Sequence, residues 1–306
     1  MKASRALFVG RTTLDAAYWL ESMPEENSKV FARQFHAAPG GPATNAAITH
    51  ALLGGETILV SAIGAGPWAA RVREELYALG IDLVDIAAGT AYETPLCAVL
   101  VNGANGSRTI VNPPVPPVEL RRLGAWQQED LSGELPRIVM TDGFFFDETR
   151  TLLTSLRDAG ATLCLDGGSW KPGTAELATL LTVAICSERF TVPSHCGPTT
   201  DPEAVITWFA ARGLPHVAIT RGGQSILGWN RGRRFEIEVA PVNATDTLGA
   251  GDVLHGAFCH FFAQEPDFEP ALRRASEIAT LSCQSQGIRA WPAQLASKAN
   301  SSPSVP

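Results

Sequence analysis

Short, wholly apolar runs alternate along the chain with longer stretches that are apolar on one side. Ala6-Leu7-Phe8-Val9, closed by Gly10, has the pattern of a central parallel strand buried on both faces. Thr57 to Ile63, Ile138 to Thr141, Ala161 to Leu165, Leu181 to Ile185 and His216 to Thr220 read the same way. Helical spacing covers Ala46 to Leu53, Glu148 to Ala159, Asp201 to Ala211 and Leu272 to Cys283. Gly64-Ala65-Gly66-Pro67-Trp68-Ala69 opens a further helix, with Pro67 at its first position and Gly80 at its end. This alternation predicts an α/β fold, a doubly wound and mostly parallel sheet flanked by helices.

Two pairs of alternating segments interrupt that rhythm. Ala17 to Leu20 and Val30 to Phe35 read as strands joined by the polar link Glu25 to Ser28. Leu96 to Val101 and Ser107 to Val111 flank Asn102-Gly103-Ala104-Asn105-Gly106, a hairpin signal. The segments 14–37 and 92–111 are therefore expected to build a separate small β-sheet. Residues 1–297 read as one domain and 298–306, with little apolar content, as a flexible tail.

The densest chemistry lies in Ala244-Thr245-Asp246-Thr247-Leu248-Gly249-Ala250-Gly251-Asp252. The apolar stripe Val253, Leu254, Ala257, Phe258, Phe261, Phe262 follows at helical spacing, so Gly249 to Asp252 form a first helical turn. The unpaired amides of such a turn carry partial positive charge, and Gly249, Ala250 and Gly251 leave room for an anion. A carboxylate inside an anion site costs repulsion unless it works, and the work available to Asp252 is to take a proton from an attacking hydroxyl. A capping aspartate in a tight turn is the plain alternative. Asp15 follows the first strand, where ligands bind in open α/β sheets. Pro39-Gly40-Gly41-Pro42-Ala43-Thr44-Asn45 precedes a helix; the glycine pair permits close approach, and the Asn45 amide can pair with hydroxyls.

Composition narrows the partners. Acidic residues number 31 against 24 basic ones, which argues against a general nucleic-acid binder. No apolar run approaches the ~20 residues of a membrane span. Met1 to Arg5 leads into a strand and not into a signal-peptide core. Cys97, Cys164, Cys186, Cys196, Cys259 and Cys283 form no Cys-x-x-Cys pair and read as reduced thiols of a cytoplasmic protein. His195-Cys196 has no partner at zinc spacing and reads as a loop.

Asp246 through Asp252 resembles the C-terminal signature of the ribokinase-like (PfkB) carbohydrate kinases, Asp-Thr-x-Gly-Ala-Gly-Asp, at every fixed position, with the small pair Gly256-Ala257 beyond it. Gly40, Gly41, Asn45, Gly54 and Gly64 fall at the spacing of the family's first signature. The resemblance covers about residues 5 to 290. It implies that Gly249, Ala250 and Gly251 form an anion hole, that Asp252 is the catalytic base, and that Asp15 holds two sugar hydroxyls beside Gly40, Gly41 and Asn45. It implies a nucleotide turn at Thr220-Arg221-Gly222-Gly223, with Ser187 nearby. The family's usual Asn-x-x-Glu is replaced around Glu188, where Ser187 and Phe190 stand. Glu188 alone is carried over, as an acid ordering the waters of Mg2+. A monovalent cation such as K+ near Asp246 is implied by the family only. The small sheet would be a lid through which many members form a homodimer. Gly64 to Gly66 departs from the family's common Gly-Asp-Asp.

The function implied is transfer of the γ-phosphoryl group of ATP to a hydroxyl of a small sugar. Gly106-Ser107-Arg108-Thr109-Ile110 resembles the ketohexokinase branch and favours a ketose, with Arg108 facing the substrate. Lys29 to Arg33 with Asn112 looks like kinases of sulfonated ketoses, and Lys29, Arg33 and Arg108 are the available cations. Ribose, a nucleoside or an anionic sugar remain alternatives. A non-catalytic sugar- or nucleotide-binding regulator is an alternative of another class, though a present Asp252 speaks for catalysis. Gly64 to Ala69, with Asp82 some way on, mimics a dinucleotide fingerprint and is discounted because the pattern is short.

Overall fold

The computed structural model describes residues 5–114, 118–125, 134–195 and 197–295. The expected tail at 298–306 and Cys196 lie outside them. In chain order the elements are β1 (Arg5–Val9), β2 (Thr13–Leu20), β3 (Gln34–Gly40), α1 (Pro42–Leu52), β4 (Glu56–Ser61), α2 (Ala69–Ala78) and β5 (Ile81–Asp85). Then come β6 (Leu96–Asn102), β7 (Arg108–Val111), β8 (Ile138–Thr141), α3 (Phe146–Asp158), β9 (Thr162–Gly167), α4 (Thr174–Leu177) and β10 (Val183–Ser187). The chain continues through α5 (Pro202–Ala210), β11 (His216–Arg221), β12 (Gln224–Asn230), β13 (Arg233–Ile237), α6 (Ala250–Gln264) and α7 (Phe268–Ser282).

Among the described residues, nine strands form the main sheet in the order β13-β12-β11-β10-β9-β8-β1-β4-β5. Every pairing is parallel except those of β12 and β13. Continuous apolar strands follow from burial on both faces. Ala6 and Phe8 point into a core completed by α1, α2, α6 and α7. Leu7 and Val9 point into the opposite core, with residues of α3 and α5. The Asn230 to Arg234 turn is a hairpin in which Arg231 (φ 47°) and Gly232 (φ 93°) take left-handed conformations between β12 and β13.

Beside it stands a second sheet in the order β3-β2-β6-β7, as the interrupted rhythm predicts. Its inner face buries Ala17, Trp19, Val99 and Val101, with Leu248 against them. Two boundaries differ from expectation. Val30 to Arg33 is not strand, because pairing with β2 begins at Trp19↔Gln34 and Phe31 stands 90% exposed. β2 begins at Thr13 and not at Ala17, so Asp15, inside the expected segment 14–37, lies within the strand, because the chain turns at Arg11 and Thr12 straight into the second sheet.

Helix starts also shift. α1 begins at Pro42, with Gly41 as cap at φ 97°, so Asn45 is already inside the first turns. A side chain at Gly41 would collide with the Arg11 carbonyl. α2 begins only at Ala69, so Pro67 is not its first residue. The Gly64 turn is held instead by Asp85, which accepts from the amides of Ile63 and Gly64 and pairs with Arg73 at 2.6 Å. No described helix is long and apolar enough to cross a membrane. Cys97, Cys164, Cys186 and Cys259 are buried free thiols, and Cys283 is half-buried and free.

Candidate active site

The carboxyl ends of β9, β10 and β11 open into a cavity of about 950 Å³, which the small sheet and the start of α6 close from the other side. Asp15, Gly41, Asn45, Arg108, Ser187, Glu188, Thr220, Gly222 and Gly249 to Asp252 all line it. Residues 64–69 do not, so the dinucleotide-like turn has no part in this site.

The anion turn is built by its neighbours. Gly249 caps α6 at φ 67°, and a Cβ there would collide with Ile288. Gly251 has an ordinary φ, and a Cβ there would meet only open space. One glycine therefore serves the backbone and the other the cavity. Asp246 is buried just upstream and accepts three hydrogen bonds: Leu248 N at 2.8 Å, Trp19 Nε1 at 3.0 Å and Gly287 N at 3.0 Å. These donors tie the anion turn to β2 and to the segment after α7. Asp246 thus acts as a clamp of the loop; no set of three or more His, Cys, Asp or Glu side chains able to hold a metal occurs among the described residues.

Asp252 lies in the first turn of α6, partly open to the cavity but otherwise enclosed by protein. Asn45 Nδ2 donates to Asp252 Oδ2 at 2.8 Å, so in this structure Asn45 orients the carboxylate. Asn45 was expected as a partner for hydroxyls, and it also lines the cavity. Burial, and then the nearby Asp166 charge, push the Asp252 carboxyl up to about 7; Asn45, His255 and Arg108 pull the other way. A carboxyl with that affinity for protons suits a general base near neutral pH.

At the other end, Thr13 Oγ1 donates to Asp15 Oδ1 at 2.6 Å. Burial raises the Asp15 carboxyl, and Thr13, Arg11 and Arg289 counter it. Gly40 does not line the cavity; its role is to leave room for Asp15, whose carboxylate would collide with any Cβ there. Arg11, Cys97, Asn112 and Phe144 complete this end. Lys29 and Arg33, read as candidate substrate cations, are exposed and away from the cavity lining, and Arg33 pairs with Glu21 at 2.9 Å. Arg108 does reach the site: its Nη1 donates to the Thr247 carbonyl at 3.1 Å, joining β7 to the anion turn.

Patterning missed two acids and a histidine. Asp142, at the end of β8, accepts from the amides of Arg11 (2.9 Å), Phe144 (3.0 Å) and Ala43 (3.3 Å). It thereby sets the turn into β2 and the start of α1; burial raises its carboxyl to about 6. Asp166 ends β9 in the cavity wall, and His255 follows Asp252 by one helical turn. The available signal was their place at strand carboxyl ends and on the α6 stripe.

At the end of the cavity formed by β10 and β11, Ser187 and Thr220 are register partners. The Glu188 amide donates to the Thr220 carbonyl at 2.9 Å. Gly222, at φ 61°, makes the turn into β12. Glu188 is exposed at the cavity wall.

A small-residue helix start, a raised carboxyl beside it and a cavity under a second sheet meet on a doubly wound fold, an arrangement with the parts that phosphoryl transfer requires. The pfkB family carbohydrate kinase model matches residues 3–294, and the chain belongs to that family; it is a phosphotransferase of the sugar and nucleoside kinase class. It is 26% identical over 294 residues to the ribokinase of Bacillus subtilis, covering 92% of this chain and 93% of that one. It is 23% identical over 306 residues to the ketohexokinase of Mus musculus, covering 94% and 99%. Its fold is similar to the solved structure of Arabidopsis thaliana ribokinase complexed with ribose and ATP (TM-score 0.68, 18% identity, 94% of each chain).

Proposed function

We propose that this kinase uses ATP to phosphorylate a hydroxyl of a small neutral sugar, with a ketose favoured. The observation that carries the reading is Asp252, raised toward neutrality and held by Asn45 at the opening of an anion-binding helix. Asp15 accepts from hydroxyls of the acceptor and fixes which one faces Asp252. As the bond to phosphorus forms, Asp252 takes the proton of that hydroxyl, and the amides of Ala250 to Asp252 face the transferred group's charge. Arg108 adds a cation from the small sheet. Mg2+, when bound with the nucleotide, would supply further charge neutralisation, and Glu188, the exposed acid at that end, would order its waters. The similarity to a ketohexokinase supports a ketose, and the departure of Lys29 and Arg33 from the cavity disfavours a sulfonated one.

The test is ADP release against a panel of ketoses, aldoses, nucleosides and anionic sugars. Turnover confined to nucleosides or anionic sugars would overturn the substrate assignment. Thermal protection by ADP and not by NAD is expected. The same proposal takes the small sheet as a lid and as the seat of a second copy of the chain. Exposed Phe35 and Val111 on the sheet, with exposed Phe31 just before β3, support this, and sedimentation of Phe31→Glu as a monomer beside a wild-type dimer tests it.

A further inference from the structure

His255 is buried one helical turn beyond Asp252. Its Nδ1 stands 2.8 Å from the Gly251 carbonyl oxygen and its Nε2 3.1 Å from the Ile185 carbonyl oxygen. A carbonyl oxygen only accepts. A neutral imidazole has one N–H and one bare lone pair, so either tautomer would set a lone pair against one of these oxygens. Only the ring protonated on both nitrogens donates to both. A counter-charge is in place, since Asp166 Oδ2 lies 3.6 Å from Nδ1.

We propose that His255 is a resident imidazolium and a positioning residue. It ties the anion turn of α6 to β10 through two carbonyls, and its charge keeps Asp252 ionised in the range where the base must work. The surroundings leave few competing charges. On β9 and β10, Cys164 and Cys186 are thiols pushed well up by burial, and Cys259 on α6 is likewise raised, so all three are neutral. Asp166 on β9 and Asp252 on α6 face the ring from the acidic side, with Asp142 of β8 behind Asp166. Asn45 of α1 is neutral, and Arg108 of β7 acts on Asp252 from the cavity side. Without the imidazolium, Asp252 would face Asp166 with only Arg108 and the Asn45 amide in its favour, and its affinity for a proton would rise.

The inference rests on Asp252 being the base, so the test reads the ring and the reaction separately. In wild-type protein labelled with 15N-histidine, both nitrogens of one ring should show protonated shifts at pH 7.5, and that signal should vanish in His255→Gln. A neutral tautomer overturns the proposal whatever the activity. The second readout is kcat/KM for the acceptor against pH in wild type, His255→Gln and His255→Phe. Both variants should move the acidic limb upward by about one pH unit, as loss of a nearby opposite charge does. Activity at pH 7 should then fall roughly fivefold and recover for His255→Gln at pH 9. Gln can still donate to one carbonyl, so a merely structural role predicts rescue with the limb unmoved, and that result overturns the proposal. If His255→Phe fails to fold, His255→Gln alone decides. An imidazolium signal in a protein that phosphorylates no acceptor overturns the base that His255 is held to serve.

Discussion

Asn45 Nδ2 and Asp252 Oδ2 meet at 2.8 Å although 207 positions separate them in the chain. The contact exists because α1 and α6 cross closely at Gly256, where a Cβ would collide with the Ala46 carbonyl. The glycine of the Gly256-Ala257 pair therefore positions chemistry one turn away. Asn45 can offer only its N–H to the carboxylate oxygen, so the remaining Asp252 lone pairs stay available for a hydroxyl proton.

Asp252→Asn preserves shape and removes basicity. kcat should fall by roughly 10²–10⁴, the usual worth of a general base. ADP protection in thermal melts should persist or increase, because a negative charge beside the phosphates has gone. A capping role predicts the opposite, since Asn caps about as well as Asp; turnover within twofold of wild type would remove Asp252 from the mechanism.

Gly256→Ala should lower both stability and turnover. The added methyl meets backbone and not a flexible side chain, so α6 must shift away from α1. Overpacking of this kind costs about 1–3 kcal/mol. Moving Asp252 off Asn45 should also reduce kcat more than KM for ATP. A variant that melts and turns over like wild type would show that the helices yield freely here.

Much of this arrangement is legible from residue order. Strands buried on both faces leave continuous apolar runs, and a tight, open helix start leaves small residues in a row, so both show as local patterns. Asp142 and Asp166 do not. An aspartate after an apolar run looks the same whether it faces water or, like Asp142, receives amides from turns as distant as Arg11 and Ala43. Asn45 shows the same limit: its type announces hydrogen bonding, but its partner Asp252 lies on a helix packed against it from the far end of the chain. Val30 to Phe35 alternates as a strand does, yet pairing with β2 runs out before Val30, and alternation carries no record of where a partner ends.

Asp15→Ala should raise KM for the sugar at least tenfold and KM for ATP little. Its carboxylate sits on β2 beside Thr13, at the end of the cavity remote from Ser187 and Thr220. A carboxylate that accepts from two hydroxyls is worth a few charge-assisted hydrogen bonds of about 1.5–3 kcal/mol each. Equal changes in both KM values would place the acceptor elsewhere.

His50 should give the protein an acid-sensitive term independent of catalysis. It is buried, with Nδ1 2.8 Å from Thr57 Oγ1, and burial followed by His260 lowers it from 6.5 to about 3. The folded state therefore holds this ring neutral while the unfolded chain protonates it below about 6.5. Its contribution is complete above 6.5 and is lost as pH falls toward about 3. The raised carboxyls Asp142 and Asp252 act in the opposite sense, but they are common to wild type and variant. His50→Leu should cost about 1–2 kcal/mol at pH 8 through the lost hydrogen bond, and the gap should shrink by pH 5. Urea unfolding at both pH values measures it, and a constant gap would contradict the assignment.

The last prediction separates the two glycines of the anion turn. Gly249 carries φ 67° and has Ile288 where a side chain would go, so its constraint is conformational and steric. Ala in a left-handed conformation costs roughly 1–2 kcal/mol, and displacement of Ile288 adds to it. Gly249→Ala should therefore lower the melting temperature by several degrees and carry activity down with it. Gly251 has no such need; its side-chain position is open and faces the cavity. Gly251→Val should fold with a melting temperature near wild type, because nothing in the protein is displaced. Its branched side chain would instead occupy space required by the transferred phosphoryl group, so kcat should fall by at least about tenfold, with ADP protection weakened. The order of the two effects is what matters. If Gly251→Val melted early and Gly249→Ala did not, the glycines would have exchanged roles. If Gly251→Val folded and kept wild-type turnover, the phosphoryl group would pass elsewhere, and the start of α6 would be a packed helix terminus and not an anion hole.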